Sequence, residues 1–246
     1  TSTLQFLPPN VAAAAHDALP FSPDEPFLVV ASSPVDDDAS GGSHGNGDGA
    51  LNPGETIELS VALQNVGGAA ATGVTGELST ESPYVTLLQP GAAWPDIPSG
   101  GSASNAVPFR FQIDPGVPDG AAIPLTLEVS DQSGVRAFGL EFPVVAPDLA
   151  VCFYRIGEQL GGHGNGIIDP GEPVELTVRV RNRGGQDAAA VAATLSSLSG
   201  HLTVVQGNSG AVLIPSGQEA ELDPPFRVLA SAEALEGEVL ELALGL

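Results

Sequence analysis

The chain has no lysine, no methionine, a single cysteine, one tryptophan and two tyrosines in 246 residues. Each shortage excludes something. Seven arginines face thirty Asp and Glu, a formal net charge of −23, so no surface is available to neutralise phosphates and nucleic acid is excluded as a partner. The lone cysteine permits no internal disulfide. Cys152 follows the apolar Leu149-Ala150-Val151 and reads as a buried, inert thiol. No apolar run reaches the roughly 18–20 residues that cross a bilayer, and no basic n-region of a signal peptide opens the chain. An extracellular or cell-surface setting is inferred instead from the absence of lysine, the Gly/Pro-punctuated β texture and a loop chemistry suited to plentiful calcium.

Catalytic signatures are equally sparse. Gly41-Gly42-Ser43-His44-Gly45 satisfies G-x-S-x-G, yet it sits in a polar low-complexity loop without the strand-turn-helix elbow a nucleophile needs. His16, His44, His163 and His201 are scattered, and the loose G-x-G-x-x-A at 45–50 precedes no helix. No enzyme is expected. Trp94, in Ala-Ala-Trp94-Pro-Asp, reads either as a packed aromatic or as an exposed sugar-stacking residue; no surface or carbohydrate ligand is specified.

What the chain does contain is a repeat. The segment GNGDGALNPGE (45–55) and then TIELSVALQNVGG (56–68) match GHGNGIIDPGE (162–172) and then PVELTVRVRNRGG (173–185), a period of 117 residues from Glu55 to Glu172. A period of that size is a domain duplication, not a solenoid. After each loop apolar residues alternate: Ile57, Leu59, Val61 and Leu63, then Val174, Leu176, Val178 and Val180, the pattern of half-buried antiparallel strands. Arg179, Arg181 and Arg183 on the other face are expected to pair with neighbouring glutamates. Pro-Phe-Arg recurs at 108–110 and 225–227, and short strands separated by Gly/Pro turns continue to the end of each copy. The expected fold is all-β, two tandem β-sandwich domains at 27–146 and 147–246 behind an N-terminal extension, 1–26. Helix is credible only around Val11–Ala18.

The loops carry the candidate metal chemistry. Counted from His44 to Glu55, the first matches a calcium loop of the EF-hand type at six positions, although a strand and not a helix follows it. Asn46, Asp48 and Asn52 offer side-chain oxygens, Ala50 its backbone carbonyl, Gly49 the sharp turn, and Glu55 a closing bidentate carboxylate. His44 stands where a carboxylate belongs. Asp36, Asp37 and Asp38 lie just upstream, and Asp36 and Asp38 are taken as the added donors. The second loop offers Asn165, the Ile167 carbonyl, Asp169 and Glu172, with Glu158 nearby, but Gly161 and His163 depart from the pattern. The competing reading is that Asn, Gly, Asp and Pro simply make turns.

The NGDG…NPGE loop leading into ELSVALQNVGGAAATGV resembles the CARDB-like and related bacterial immunoglobulin-like repeats of prokaryotic surface and secreted proteins. The resemblance covers both copies. It implies immunoglobulin-like modules used as spacers, adhesive units or appendages, often stabilised by calcium.

The ends of the two copies differ. The first finishes with Ile123–Asp131, a turn, and a last strand Val135–Val145 that turns Phe138, Leu140 and Phe142 inward; the second is expected to lack that last strand. Thr3-Leu4-Gln5-Phe6-Leu7-Pro8 reads like Gly139-Leu140-Glu141-Phe142-Pro143-Val144. Thr3, Leu4, Phe6 and Leu7 are therefore a candidate assembly strand for the second domain of an identical subunit, with 9–26 as linker. The logic is similar to donor-strand assembly of pili. Burying Leu4, Phe6 and Leu7 would contribute on the order of 1.5–3 kcal/mol each before ordering costs. Three other arrangements stay open: a chain that continues past Leu246, a disordered N-terminal tail, or a strand folded back into its own second domain.

Overall fold

The computed structural model describes residues 24–158 and 164–246, and among these every regular element is a β-strand. The expected helix at Val11–Ala18, the assembly strand and the second-loop positions Gly161 and His163 lie outside the described residues. The chain divides into two compact units at Val145/Ala146, one residue from the boundary the repeat suggests.

The first unit contains β1 (Leu28–Ser32), β2 (Val35–Asp36), β3 (Thr56–Leu59), β4 (Ala62–Asn65), β5 (Thr75–Ser79), β6 (Val85–Gln89), β7 (Gly91–Ala93), β8 (Ser102–Ser104), β9 (Phe109–Ile113), β10 (Ala122–Asp131) and β11 (Gly134–Pro143). Strands β1, β4 and β8 form one ladder and β2, β3, β9 and β6 another, while β11, β10, β5 and β7 form the opposite sheet. Only Ser60 and Val61 separate β3 from β4, and the apolar alternation runs through that break: Ile57, Leu59, Val61 and Leu63 are all fully buried. Asn105 bridges it, its side-chain oxygen accepting the Val61 amide at 2.7 Å. Trp94 is buried, donates its indole N–H to the Val61 carbonyl at 2.8 Å, and lies 6.0 Å from the Phe109 ring. A β-carbon on Gly76 would sit 2.8 Å from the indole, so this glycine is the space the ring occupies.

The second unit contains β12 (Leu149–Gly157), β13 (Pro173–Asn182), β14 (Ala188–Ser197), β15 (Leu202–Gln206), β16 (Asn208–Ile214), β17 (Glu219–Glu221), β18 (Phe226–Ala230) and β19 (Leu242–Gly245). One sheet has the order β12-β13-β18-β15, with β17 also on β13; the other is β16-β14-β19. Val174, Val178, Leu195, Ile214, Phe226 and Val228, drawn from both sheets, share one core. Arg179 lies 3.9 Å from both Glu219 and Glu221 across β13 and β17, as expected, while Arg183, just past β13, lies 3.0 Å from Asp148 and not from a glutamate; Arg227 adds a cross-strand pair with Glu175 at 2.9 Å.

Cys152 is exposed, not buried. It lies at a register shift of the β12–β13 pairing between Val151 and Phe153, in a stretch of edge strand β12 where Val151, Phe153 and Tyr154 are exposed as well.

A second duplicated feature escaped the sequence reading. Asn65 and Asn182 are both fully buried. The Asn65 oxygen accepts the amides of Phe27 and Gly67, and its NH2 donates to the carbonyls of Ala69 and Ile97. Asn182 repeats all four bonds with Asp148, Gly184, Gln186 and Ile214. The start of the strand entering each unit is thereby stitched to the end of the strand it pairs with, β1 to β4 and β12 to β13. Gly67 and Gly184 permit the approach, since a β-carbon would fall 2.3 Å from the Glu25 carbonyl and 2.1 Å from that of Ala146.

Candidate functional site

Period-two alternation beyond Val35 points Asp36 outward and Asp37 inward. Asp37 is accordingly buried, and its carboxylate accepts the amides of Gly47, Asp48 and Gly49 at 3.0–3.1 Å. It is Asp37, not Asp36 or Asp38, that enters the first loop. Asp36 accepts the Asp38 amide at 3.3 Å, and Asp38 binds the amide and hydroxyl of Ser40 at 2.6 and 2.7 Å. The Ser40 hydroxyl and amide, in that order, hold the Asp38 carboxyl below its usual range.

Glu55 closes the loop from inside. One carboxylate oxygen accepts the Asn46 amide and the other that of Asn52, each at 3.0 Å. Burial pushes its carboxyl above the usual range; those two amides pull it back, and the charges of Asp37 and Asp48 raise it again. Asn46 donates its NH2 to Asp48 and Asn52 at 3.1 and 3.0 Å, and Asp48 accepts the Ala50 amide at 2.8 Å. Asn52 is buried and donates to the Val145 carbonyl at 2.7 Å.

The second loop repeats the scheme. Glu158 takes the part of Asp37, accepting the amides of Asn165 (2.8 Å) and Gly166. Glu172 accepts the Asp169 amide at 2.9 Å, as Glu55 does for Asn52. Asn165 donates to Asp169 at 2.9 Å and accepts the Ile167 amide at 2.8 Å.

This arrangement does not fit a calcium ion well. Buried Asp37 and Glu55 have all four carboxylate oxygens turned to backbone N–H groups of the loop, five in all, hydrogen bonds that a cation would have to share or displace. No three His, Cys, Asp or Glu side chains among the described residues converge as a metal centre. Each loop is closed by internal anions held by its own amides.

The other candidate site is an edge. In the first unit β10 pairs with β5 on one side and β11 on the other, and Ile123, Leu125 and Leu127 are fully buried. Leu127 pairs with Leu78 there, and Leu244 with Leu195 in the second unit, which makes β19 the counterpart of β10 at the repeat period. Among the described residues β19 pairs only with β14. Leu240, Leu242 and Leu244, the counterparts of Ile123, Leu125 and Leu127, are only half-buried. They line an apolar groove of about 420 Å³ whose other wall includes Val151, Tyr154 and Ile156 of the edge strand β12. Ile168 of the second loop also lines it.

No protein-family model matches the sequence, and no curated protein matches it. Among solved structures, the secreted serine protease VesC from Vibrio cholerae is similar at 13% identity over 76% of this chain, with a TM-score of 0.26, and the chain spans 45% of that protein's length. The YadV chaperone is similar at 10% identity over 88% of this chain and 90% of its own, TM-score 0.26. The C-terminal domain of the Streptococcus agalactiae AgI/II polypeptide BspA is similar at 11% identity over 82% and 83%, TM-score 0.28. Likenesses this distant carry no weight for function, which rests on the edge and the loops.

Proposed function

We propose that this chain is a structural subunit of an extracellular filament or surface appendage. It is built from two immunoglobulin-like β-sandwich domains, and copies join head to tail when the N-terminal strand of one enters the second domain of the next. The immunoglobulin-like reading is supported by strand order: β2-β3-β9-β6 against β11-β10-β5 in the first unit, and β12-β13-β18-β15 against β14-β19 in the second. The free edge of β19, which among the described residues pairs only with β14, carries the assembly reading. Leu242 and Leu244, with Leu240 just before the strand, are half-buried over an apolar groove, a liability unless another strand fills it. Thr3-Leu4-Gln5-Phe6-Leu7 has the alternation of the strand that covers the same edge in the first unit. A contact between two different surfaces of one protein propagates unless it closes into a ring. Calcium is not required in this reading, because internal carboxylates close both loops.

Light scattering on the 246-residue chain and on a form lacking Thr1–Pro8 tests the proposal. The intact chain is expected as concentration-dependent oligomers and the shortened one as monomers. Equal, monomeric masses would overturn assembly and favour a non-polymerising adhesive or spacer module of a larger surface protein.

A further inference from the structure

The first unit specifies how β11 sits against β10, and the repeat transfers that register to the free edge of β19. Opposite β10, Phe142 faces Ile123, Leu140 faces Leu125 and Phe138 faces Leu127. Transferred by one repeat, these positions lie opposite Leu240, Leu242 and Leu244. Leu140 and Phe142 are buried, whereas Phe138 is half-buried, so the position opposite Leu244 is the least demanding of the three.

We infer that the occupant of this groove is the Thr3–Leu7 strand of a second copy, antiparallel to β19 and extending past its start, with Leu4 opposite Leu242, the first residue of β19, Phe6 opposite Leu240 and Gln5 outward beside Glu241. The inference rests on the assembly proposed above and fixes its geometry. Ser2 then meets the undemanding position. Side-chain matching decides against the neighbouring registers. Moving Phe6 opposite Leu242 places Pro8 opposite Leu240, where the first unit sets buried Phe142 against Ile123, so a proline ring would stand in for the aromatic. Moving Leu4 opposite Leu240 leaves Leu242 facing Ser2. A one-residue slip turns Gln5 into the groove.

The loops agree with this register. In the first unit the covering strand is clamped at its end: the Val145 amide donates to the Leu51 carbonyl at 2.9 Å, and Asn52 donates to the Val145 carbonyl. At the corresponding places the second loop has Ile168 and Asp169. A carboxylate there has no N–H for a carbonyl, and Pro9, which the register sets in the place of Val145, has no N–H for Ile168. Both halves of the clamp are missing together. The strand leaves the groove after Leu7, toward its own first domain.

Disulfide trapping in the full chain tests the register. Cys152, an exposed thiol, is first changed to Ser. Gln5→Cys with Glu241→Cys joins outward-facing neighbours of the inferred register, and Gln5→Cys with Ala243→Cys joins those of the register shifted by two. Oxidation is expected to convert the first pair into a ladder of covalent dimers and higher species, and to leave the second pair non-covalent. A ladder from the second pair, or from neither while light scattering still reports oligomers, overturns the register and leaves assembly standing. A cross-linked monomer from the first pair means the strand folds into its own chain, which overturns the second-copy occupant. Monomers without cross-links overturn both.

Discussion

The Asn52 side chain donates to the carbonyl of Val145, 93 positions later in the chain, at 2.7 Å. A glycine-rich loop near the start of the first unit thus holds the end of its last strand. Asn52→Ala leaves that carbonyl without its donor, and Asn52→Asp puts a carboxylate against it. Each is expected to cost the first unit about 1–3 kcal/mol. Trp94, the only tryptophan, lies in this unit, so its fluorescence during urea unfolding reports the change directly.

The buried asparagines carry more. Replacing Asn65 or Asn182 with alanine strands two amides and two carbonyls, a loss of about 3 kcal/mol or more for the unit concerned. Asn65→Ala should lower the Trp94-reported urea midpoint, while Asn182→Ala should lower only the transition of the second unit, followed by circular dichroism. Gly67→Ala and Gly184→Ala should act on the same units, because the added carbon meets backbone and not a flexible side chain.

Glu55 gives a pH dependence with a defined sign. Its folded pKa is raised, chiefly by burial, so the folded first unit binds the proton more tightly than the unfolded chain. Its contribution to stability is therefore full below the unfolded value near 4.5 and falls as pH rises through the higher folded value. Glu55→Gln does not titrate. The stability of the natural chain relative to this variant should rise as pH is lowered through that window and stay flat above it, as urea titrations followed by Trp94 would measure.

Chelation separates anion-closed loops from calcium-closed ones. A ligand that binds only the folded state raises apparent stability. With Asp37, Glu55, Glu158 and Glu172 already held by amides, EDTA and millimolar calcium should give the same thermal midpoint within about 1 °C. A midpoint that drops on chelation would return calcium to the first loop.

Much of this was legible in the sequence because alternation and repetition are local signals. Ile57, Leu59, Val61 and Leu63 announced a core face that persists through the interruption between β3 and β4, and the 117-residue period aligned β19 with β10. The place of Asp37 was also available, since the alternation that faces Val35 inward faces Asp37 inward too. What was hidden depends on contacts distant in sequence. Nothing near Asn65 reveals that Ile97 completes its bonds, and the Trp94–Gly76 fit leaves no trace in the second copy, where Ala211 and Ala193 stand at the same positions. Cys152 misled because an apolar run gives no sign that it forms an exposed edge strand.

The most direct measurement is binding of a fluorescein-labelled peptide, Thr1–Pro8, to the chain lacking those residues, followed by anisotropy. Saturable binding is expected, weakened at least tenfold by Leu242→Arg in the groove and unaffected by Val212→Arg, which changes a side chain 91% exposed on β16. No binding, or binding that ignores Leu242→Arg, would contradict a second unit that accepts the N-terminal strand.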